Sequence, residues 1–461
     1  MVKEWVIKEL AGVDLGDKRL NKRVLNLLDT ASKQPQSSLN TMFHTRKETQ
    51  ACYRFFSNDL VTESKIFEPH LQQTQERVRQ QPVVLCPSDT TSLNYTTRKT
   101  LKDSGYLSSN NAQGFFMHTT IAITPDRLHL GVVDQKFWAR EKQKSTRSSK
   151  ERERMMLNEK ESYRWLEAYR SCGELAQKCP NTQLVYITDR EGDIFELFYE
   201  KEKNCVDYII RSQHNRTVYP EGEKTDKLLE AIENSKKLGE ISFEIIKRED
   251  GSKRQVKQTI QTGTFQIKSR YGADIPLQKA TINVVYLKEF NTPEGEEPVV
   301  WRLLTSLPIS TQEEVETIIR YYLCRWEIEV LFKTFKSGCK VEEKSLRSAD
   351  RLYPLFNLFL IIAWRVNFLL HMSRITPGIS SAYYFEESEW KSGYMAATRN
   401  KEPLTSPPTL SEMMGYIARL GGHLGRKKDL PPGVKAIWIG ICKLHNYADA
   451  WDLFGPGAKT K

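Results

Sequence analysis

Apolar residues recur at helical spacing through the first part of the chain, and the period shortens after Pro82. Residues 1 to about 75 therefore read as helical. In the run from Lys18 to Leu28, the positions Leu20, Val24 and Leu27/Leu28 share one side, with Lys18, Arg19, Lys22 and Arg23 around them. A second cluster, Tyr53-Arg54-Phe55-Phe56, mixes aromatic rings with a cation. Past Pro82, Val83-Val84-Leu85-Cys86 predicts a buried strand that ends at the polar stretch Ser88-Asp89-Thr90-Thr91-Ser92. Two further strands are predicted at Phe116 to Ile123 and Leu128 to Phe137, joined by Thr124-Pro125-Asp126. A helix over Tyr163 to Gln177 comes next. The strand Leu184-Val185-Tyr186-Ile187 then ends at Thr188-Asp189-Arg190-Glu191-Gly192-Asp193, and another strand covers Val206 to Ile210.

Residues 218–298 have the pattern of an insertion. Ile241, Phe243 and Ile245 alternate with polar residues, as do Phe265 and Ile267. Turn signals at Glu249-Asp250-Gly251 and Tyr271-Gly272 separate the segments, so a small antiparallel sheet is expected. Val299 to Ser306 returns to a buried strand, and a long helix is predicted from about Thr311 to Ser337. Leu352 to Leu370 is apolar over 19 residues but is interrupted by Pro354, Asn357, Arg365 and Asn367. Charge at mid-span is expensive in lipid, so this segment reads as a core helix and not as a membrane span. The tail from 372 carries Pro and Gly early, then a helical stretch, the basic loop Gly425-Arg426-Lys427-Lys428, and a final helix through Trp438 and Leu444. There are no internal repeats.

Composition narrows the class. At about 150 residues per domain, the length suggests roughly three domains. With 39% hydrophobic and 28% charged residues the chain can bury a sizeable core, which excludes wholesale disorder. The 69 Lys and Arg against 58 Asp and Glu leave a net charge of +11, which favours a polyanionic partner. Part of that surplus is the run Arg140 to Arg154, with seven cations against three Glu, which reads as a solvated run able to touch a phosphate backbone. Eight scattered cysteines with no C-x2-C pair argue against a zinc knuckle and predict buried, reduced thiols. The N-terminus has no apolar signal core, so a soluble protein of the cytoplasm is expected.

The candidate chemistry lies in three acids. Asp89 and Asp189 each follow a predicted strand. On the long helix, Tyr322, Arg325, Glu329 and Lys336 fall at roughly 0°, 300°, 340° and 320°, one arc about 60° wide. Cys324, Ile328, Leu331, Phe332 and Phe335 form the neighbouring apolar side, while Glu327 lies about 160° from Glu329 and cannot share the stripe. Three carboxylates suit two hard divalent cations, with Asp89 between them and Asp189 and Glu329 on one each. Arg325, Lys336 and the Tyr322 phenol would hold neighbouring phosphates.

Asp-Thr-Thr-Ser-Leu-Asn-Tyr at 89–95, Thr-Asp-Arg-Glu-Gly-Asp-Ile at 188–194 and the Tyr-x2-Arg-x3-Glu-x6-Lys helix resemble the DDE transposases of the insertion-sequence-four family, in its transposon-five, cut-and-paste branch. The similarity runs over nearly the whole chain. It takes in Leu15-Gly16-Asp17-Lys18-Arg19, the Tyr53-Arg54-Phe55 cluster and Ala418-Arg419-Leu420-Gly421-Gly422. The resemblance implies a mixed α/β fold: a ribonuclease-H-like core (76–371) interrupted by an inserted antiparallel β-region (218–298). A helical DNA-end-binding domain (1–75) and a C-terminal helical dimerisation domain (372–461) would flank it. It implies catalytic, metal-binding Asp89, Asp189 and Glu329 with two Mg2+, for which Mn2+ can substitute. Trp301 falls where the family holds a flipped base, and Arg211 and Arg216 fall in a basic segment that touches DNA, beside the N-terminal Lys18, Arg19, Lys22 and Arg23. The partners implied are double-stranded DNA, as terminal inverted repeats and target, and a second copy of the chain in the synaptic complex, the protein being a monomer without DNA. Two alternatives stay open from the residues: a non-catalytic DNA-binding derivative, and a related nuclease without strand transfer.

Overall fold

The structure, a computed structural model of the chain, describes all residues except 1, 44, 99, 102, 108–111, 141–155, 220–225, 247–252, 270–277, 427–428 and 457–461. Nearly all of the basic run, both turn signals of the insertion and Lys427-Lys428 thus lie outside the described residues.

Helices α1 (Glu4–Glu9), α2 (Lys18–Lys33), α3 (Arg46–Phe56) and α4 (Glu63–Arg79) form the N-terminal region. Polar caps set their starts: the Asp17 carboxylate accepts from Arg19 N, and Thr45 and Glu48 make a reciprocal capping box. Their apolar sides, including Val6, Leu28 and Phe55, join the same core that packs one face of the sheet.

The sheet begins with β1 (Val83–Asn94), β2 (Gly105–Tyr106), β3 (Gln113–Ile123) and β4 (His129–Trp138). After α5 (Tyr163–Lys178) come β5 (Gln183–Thr188), α6 (Phe195–Glu200) and β6 (Asp207–Arg211). β1 runs antiparallel to β3 and parallel to β5, β5 runs parallel to β6, and β4 lies outside β3. This is the ribonuclease-H-like order β4-β3-β1-β5-β6. One expectation needs correction: β1 does not end near Ser88 but continues to Asn94. Its parallel pairing with β5 stops at Pro87, yet antiparallel pairing with β3 carries it on, so a polar sequence remains strand.

The insertion also differs from a separate small sheet. β7 (Thr217–Tyr219), β8 (Asp226–Lys227), α7 (Leu228–Glu233), β9 (Lys237–Ile246), β10 (Lys253–Lys268) and β11 (Lys279–Glu289) are antiparallel as expected. Then β12 (Val300–Thr305) pairs with both β11 and β6. The insert is therefore hydrogen-bonded into the core sheet, and among the described residues twelve strands form one sheet.

The predicted long helix is present but not uniform. It comprises α8 (Gln312–Leu323), a 3-10 turn (Cys324–Trp326), α9 (Glu327–Lys333) and a π turn (Thr334–Gly338). The first irregularity overwinds the chain and the second underwinds it, so their effects on the stripe oppose each other. The apolar segment is α10 (Ala349–Ile375); it is long and apolar enough to cross a membrane, but 83% of its most apolar window is buried against the rest of the chain. The C-terminal helices α11 (Glu387–Thr398), α12 (Leu410–Leu420) and α13 (Val434–Phe454) pack around their own apolar core. Two glycines allow the close approach of α12 and α13: a Cβ on Gly440 would lie 1.9 Å from the Ile417 carbonyl oxygen, and one on Gly421 would lie 1.8 Å from that of Ala436. All eight thiols are unpaired; contrary to expectation, Cys205, in the loop before β6, is exposed, and Cys442 is half-buried.

Candidate active site

Sheet register brings the two aspartates together. Pro87 of β1 pairs with Ile187 of β5; Asp89 lies two residues farther along β1, and Asp189 two residues farther along the chain, just past the end of β5. Side chains alternate along a strand, so Leu85, Pro87 and Asp89 share a face with Val185, Ile187 and Asp189. That is the face covered by Ile328, Leu331 and Phe332 of α9, whereas Leu184 and Tyr186 point to the opposite core against Trp165 and Tyr169 of α5. The Asp189 carboxylate accepts from Glu191 N at 2.8 Å, which turns the chain as it leaves the strand.

Glu329 arrives from α9, and one guanidinium links it to the sheet. Arg325 donates to Asp89 Oδ2 at 3.2 Å and to Glu329 Oε1 at 2.7 Å. Burial first, and then the neighbouring Asp189 charge, push the Asp89 carboxyl up to about 6; the Glu329 charge adds to the push, against the Thr90 N–H and the Arg325 guanidinium. The site therefore holds more negative charge than Arg325 neutralises. Its donors are all oxygens, and they fit hard divalent cations.

The other expected residues divide into two groups. Tyr322, buried beside Arg325, has its phenol pKa raised by burial and lies within the fields of Arg211 and Asp189. Trp301, half-buried on β12, meets the Tyr322 ring edge-on with centroids 5.8 Å apart, so its position adjoins the acids. Lys336 is anchored to β1 by a 2.8 Å hydrogen bond from Nζ to the Ser92 carbonyl oxygen. Arg211, Tyr322 and Trp301 thus border the acidic site, while Lys336 meets β1 three residues beyond Asp89. Arg216 does not join them: it grips the fully buried Asp193 carboxylate at 2.6 Å and also donates to the Asp193 carbonyl. Lys18, Arg19 and Lys22 are exposed on α2 and Arg23 is half-buried, away from the acids in sequence and element. Of the aromatic cluster, Phe55 and Phe56 are core residues, and Arg54 is exposed.

Sequence reasoning missed a buried cluster on the other side of the same helix. Glu327 Oε2 lies 3.2 Å from His129 Nε2 and 3.3 Å from His371 Nε2, while Arg127 Nη1 donates to Oε1 at 3.2 Å. Burial alone would raise the Glu327 pKa, but hydrogen bonding from His129 and His371 outweighs it and holds the carboxyl well below the usual range. One signal was present: on the helical wheel Glu327 falls next to the apolar arc, and a carboxylate there needs partners.

The chain matches three family models in succession. Residues 2–61 match Transposase DNA-binding, 70–364 match Transposase DDE domain, and 361–452 match Transposase Tn5 dimerisation domain. They describe a DNA-binding protein with a transposase catalytic domain, in a family that uses divalent metal, and a region for dimer formation. The central match covers more than half of the chain, including all three acids, and the chain therefore belongs to the transposase DDE-domain family, in its Tn5 type.

Proposed function

We propose that the protein moves a DNA element by cut and paste, with Asp89, Asp189 and Glu329 as its catalytic acids. The observation that carries this reading is the meeting of register-matched Asp89 and Asp189 with Glu329 through a shared Arg325. Asp89, Asp189 and Glu329 would hold the divalent cations, Mg2+ being the ion their oxygen donors suit. When bound, the ions supply an activated water or 3′-hydroxyl and stabilise the leaving oxygen on phosphorus. The Arg325 cation stands between two of these acids. With DNA present it turns to a phosphate oxygen, for which its planar fork is suited. Tyr322 and Lys336 orient the adjoining phosphates, and Arg211 lies on the same border.

The resemblance to the transposon-five branch supplies the order of steps in this reading: a nick at the element's end, attack of the freed 3′-hydroxyl on the opposite strand to give a hairpin, reopening, and joining to target DNA. A displaced base stacks on Trp301, whose ring is half-buried beside Tyr322. Trp301→Ala is expected to slow hairpin formation about 5-fold or more, given about 1–3 kcal/mol for a stacked base, while the first nick changes less than about 3-fold. Single-turnover assays on pre-nicked ends measure the two steps separately; equal slowing of both would return Trp301 to a packing role.

End recognition belongs to the helices of residues 1–75, synapsis of two copies to residues 372–461, and catalysis to 76–371. Lys18, Arg19, Lys22 and Arg23 would contact the phosphate backbone of the terminal repeats. Changing Lys18, Arg19 and Lys22 together to Ala is expected to weaken end binding and to lower the slope of log affinity against log salt by up to about 3. Fluorescence anisotropy across a salt series reads this out, and an unchanged slope removes α2 from the interface. Arg216, paired with Asp193, contributes to DNA binding by shaping the loop after β6.

The experiment that tests the whole reading takes the purified protein, Mg2+ and DNA carrying the inverted repeats that flank its gene. Cleavage at the repeat ends followed by joining of the 3′-ends into plasmid is expected. Binding without cleavage in Mg2+ or Mn2+ would instead fit a non-catalytic derivative, and cleavage without joining would fit a nuclease.

A further inference from the structure

We propose that His129, Glu327 and His371 form a second metal site, a structural one, that takes a zinc-like transition-metal ion and is separate from the acidic catalytic centre. The three side chains are buried, and their ligand atoms all lie within 4.8 Å of one another. They come from the start of β4, the start of α9 and the end of α10. Two imidazoles and one carboxylate are a recurrent zinc set, whereas Mg2+ favours oxygen donors and belongs with Asp89, Asp189 and Glu329.

The spacing suits coordination as well as hydrogen bonding. Charge-assisted N–H···O bonds run at about 2.7–2.9 Å. A comparable buried cluster in this protein is tight: His70 Nδ1 lies 2.5 Å from Glu9 Oε1, and Arg77 bonds the same carboxylate at 2.9 and 3.0 Å. Around Glu327 each corresponding distance is 3.2 or 3.3 Å. Tetrahedral ligands at about 2.05 Å from zinc are separated by about 3.3 Å, which the two Nε2–Oε2 distances match, and the two imidazole nitrogens lie within 4.8 Å of each other.

The division of the carboxylate fits as well. Both imidazoles address Oε2, and Arg127 holds Oε1, so one oxygen is available to ligate while the other is fixed by an outer hydrogen bond. The Trp364 indole N–H donates to the His129 carbonyl at 2.9 Å and fixes that backbone. The Arg127 side chain is 45% exposed and opens a path from solvent. An ion here would tie the β3–β4 connection and α10 to the helix two residues before Glu329, on the side facing away from DNA chemistry.

The test uses the full chain stripped of metal with chelator, then titrated with Co2+ in excess Mg2+. One equivalent of Co2+ is expected to give the visible absorption of a tetrahedral site, to be displaced by Zn2+, and to raise the melting temperature by several degrees. Asp89→Asn keeps this signal and His371→Gln loses it. X-ray absorption at the zinc edge of the wild-type protein should show two imidazole ligands, a readout that needs no variant to fold. An oxygen-only shell, no tetrahedral band, or a band that survives in folded His371→Gln protein overturns the site and leaves a hydrogen-bonded cluster. Because Asp89→Asn abolishes cleavage but retains the band, failure of the catalytic reading and failure of this one are distinguishable.

Discussion

Asp89→Asn is expected to abolish DNA cleavage and, in metal-free buffer, to make the protein more stable. The two effects have one cause. The Asp89 carboxyl is pushed up to about 6 from a usual 3.8 by burial and by Asp189, so its ionised form is disfavoured by the fold. A shift of about two units corresponds to about 3 kcal/mol of penalty at neutral pH, of which an uncharged isostere recovers about 1–3. Because the folded-state pKa is raised, the protonated group's stabilising contribution is fully present below about pH 4 and is lost as pH rises through about 6. The melting temperature of Asp89→Asn should therefore exceed that of wild type by a few degrees at pH 7, and the gap should close on acidification across that window. Mg2+ should raise the melting temperature of wild type, since it binds only the folded acids, and should do little for the variant. Loss of a proposed catalytic acid should remove several kcal/mol of transition-state stabilisation, about 10³-fold or more in cleavage rate. A variant that melts no higher than wild type at pH 7, or that still cleaves within 10-fold, contradicts this account of the site.

The same residues explain what was legible in the sequence. Asp89 and Asp189 stood out because each follows a short apolar run, and the run is what a strand buried on both faces requires. Their convergence was not legible, because it depends on the pairing of Pro87 with Ile187, a register that no local pattern encodes. The wheel placed Tyr322, Arg325, Glu329 and Lys336 on one stripe. Across the 3-10 turn Arg325 and Glu329 still meet at the acids, and past the start of the π turn Lys336 reaches β1 at Ser92. The strand beyond Ser88 was misread because its polar residues are held by β3 and not by burial. The insertion was legible as antiparallel strands, but its union with the core rests on β12 pairing on both edges, a tertiary choice. The family resemblance implies a DNA contact at Arg216; only the fold reveals Asp193, 23 residues away, as its partner. His129 went unnoticed for the same reason, being 198 residues from Glu327.

Glu327→Ala and Glu329→Ala, two residues apart, should fail in opposite ways. Glu327 is 4% exposed, with Arg127, His129 and His371 gathered on its two oxygens. Removing it leaves a guanidinium without its anion and two buried imidazoles without an acceptor, as well as a cavity. Breaking a buried ion pair costs about 3–5 kcal/mol, and because Arg127 can turn to water, about 2–4 is expected here. Glu329 has a side chain 34% exposed, and its partner Arg325 keeps a second carboxylate in Asp89, so its loss should cost less than about 1 kcal/mol. Urea unfolding should thus separate the variants clearly: Glu327→Ala unfolds early, and Glu329→Ala unfolds near wild type. Cleavage per folded molecule should invert the order, with Glu329→Ala inactive and Glu327→Ala, assayed at low temperature where it remains folded, within about 10-fold of wild type. Glu327→Gln should fall between on stability, since an amide oxygen can still accept from an imidazole but carries no charge for Arg127. If Glu329→Ala proved the less stable of the pair, or if Glu327→Ala were fully folded and inactive, the assignment of one helix face to chemistry and the other to the core would have to be reversed.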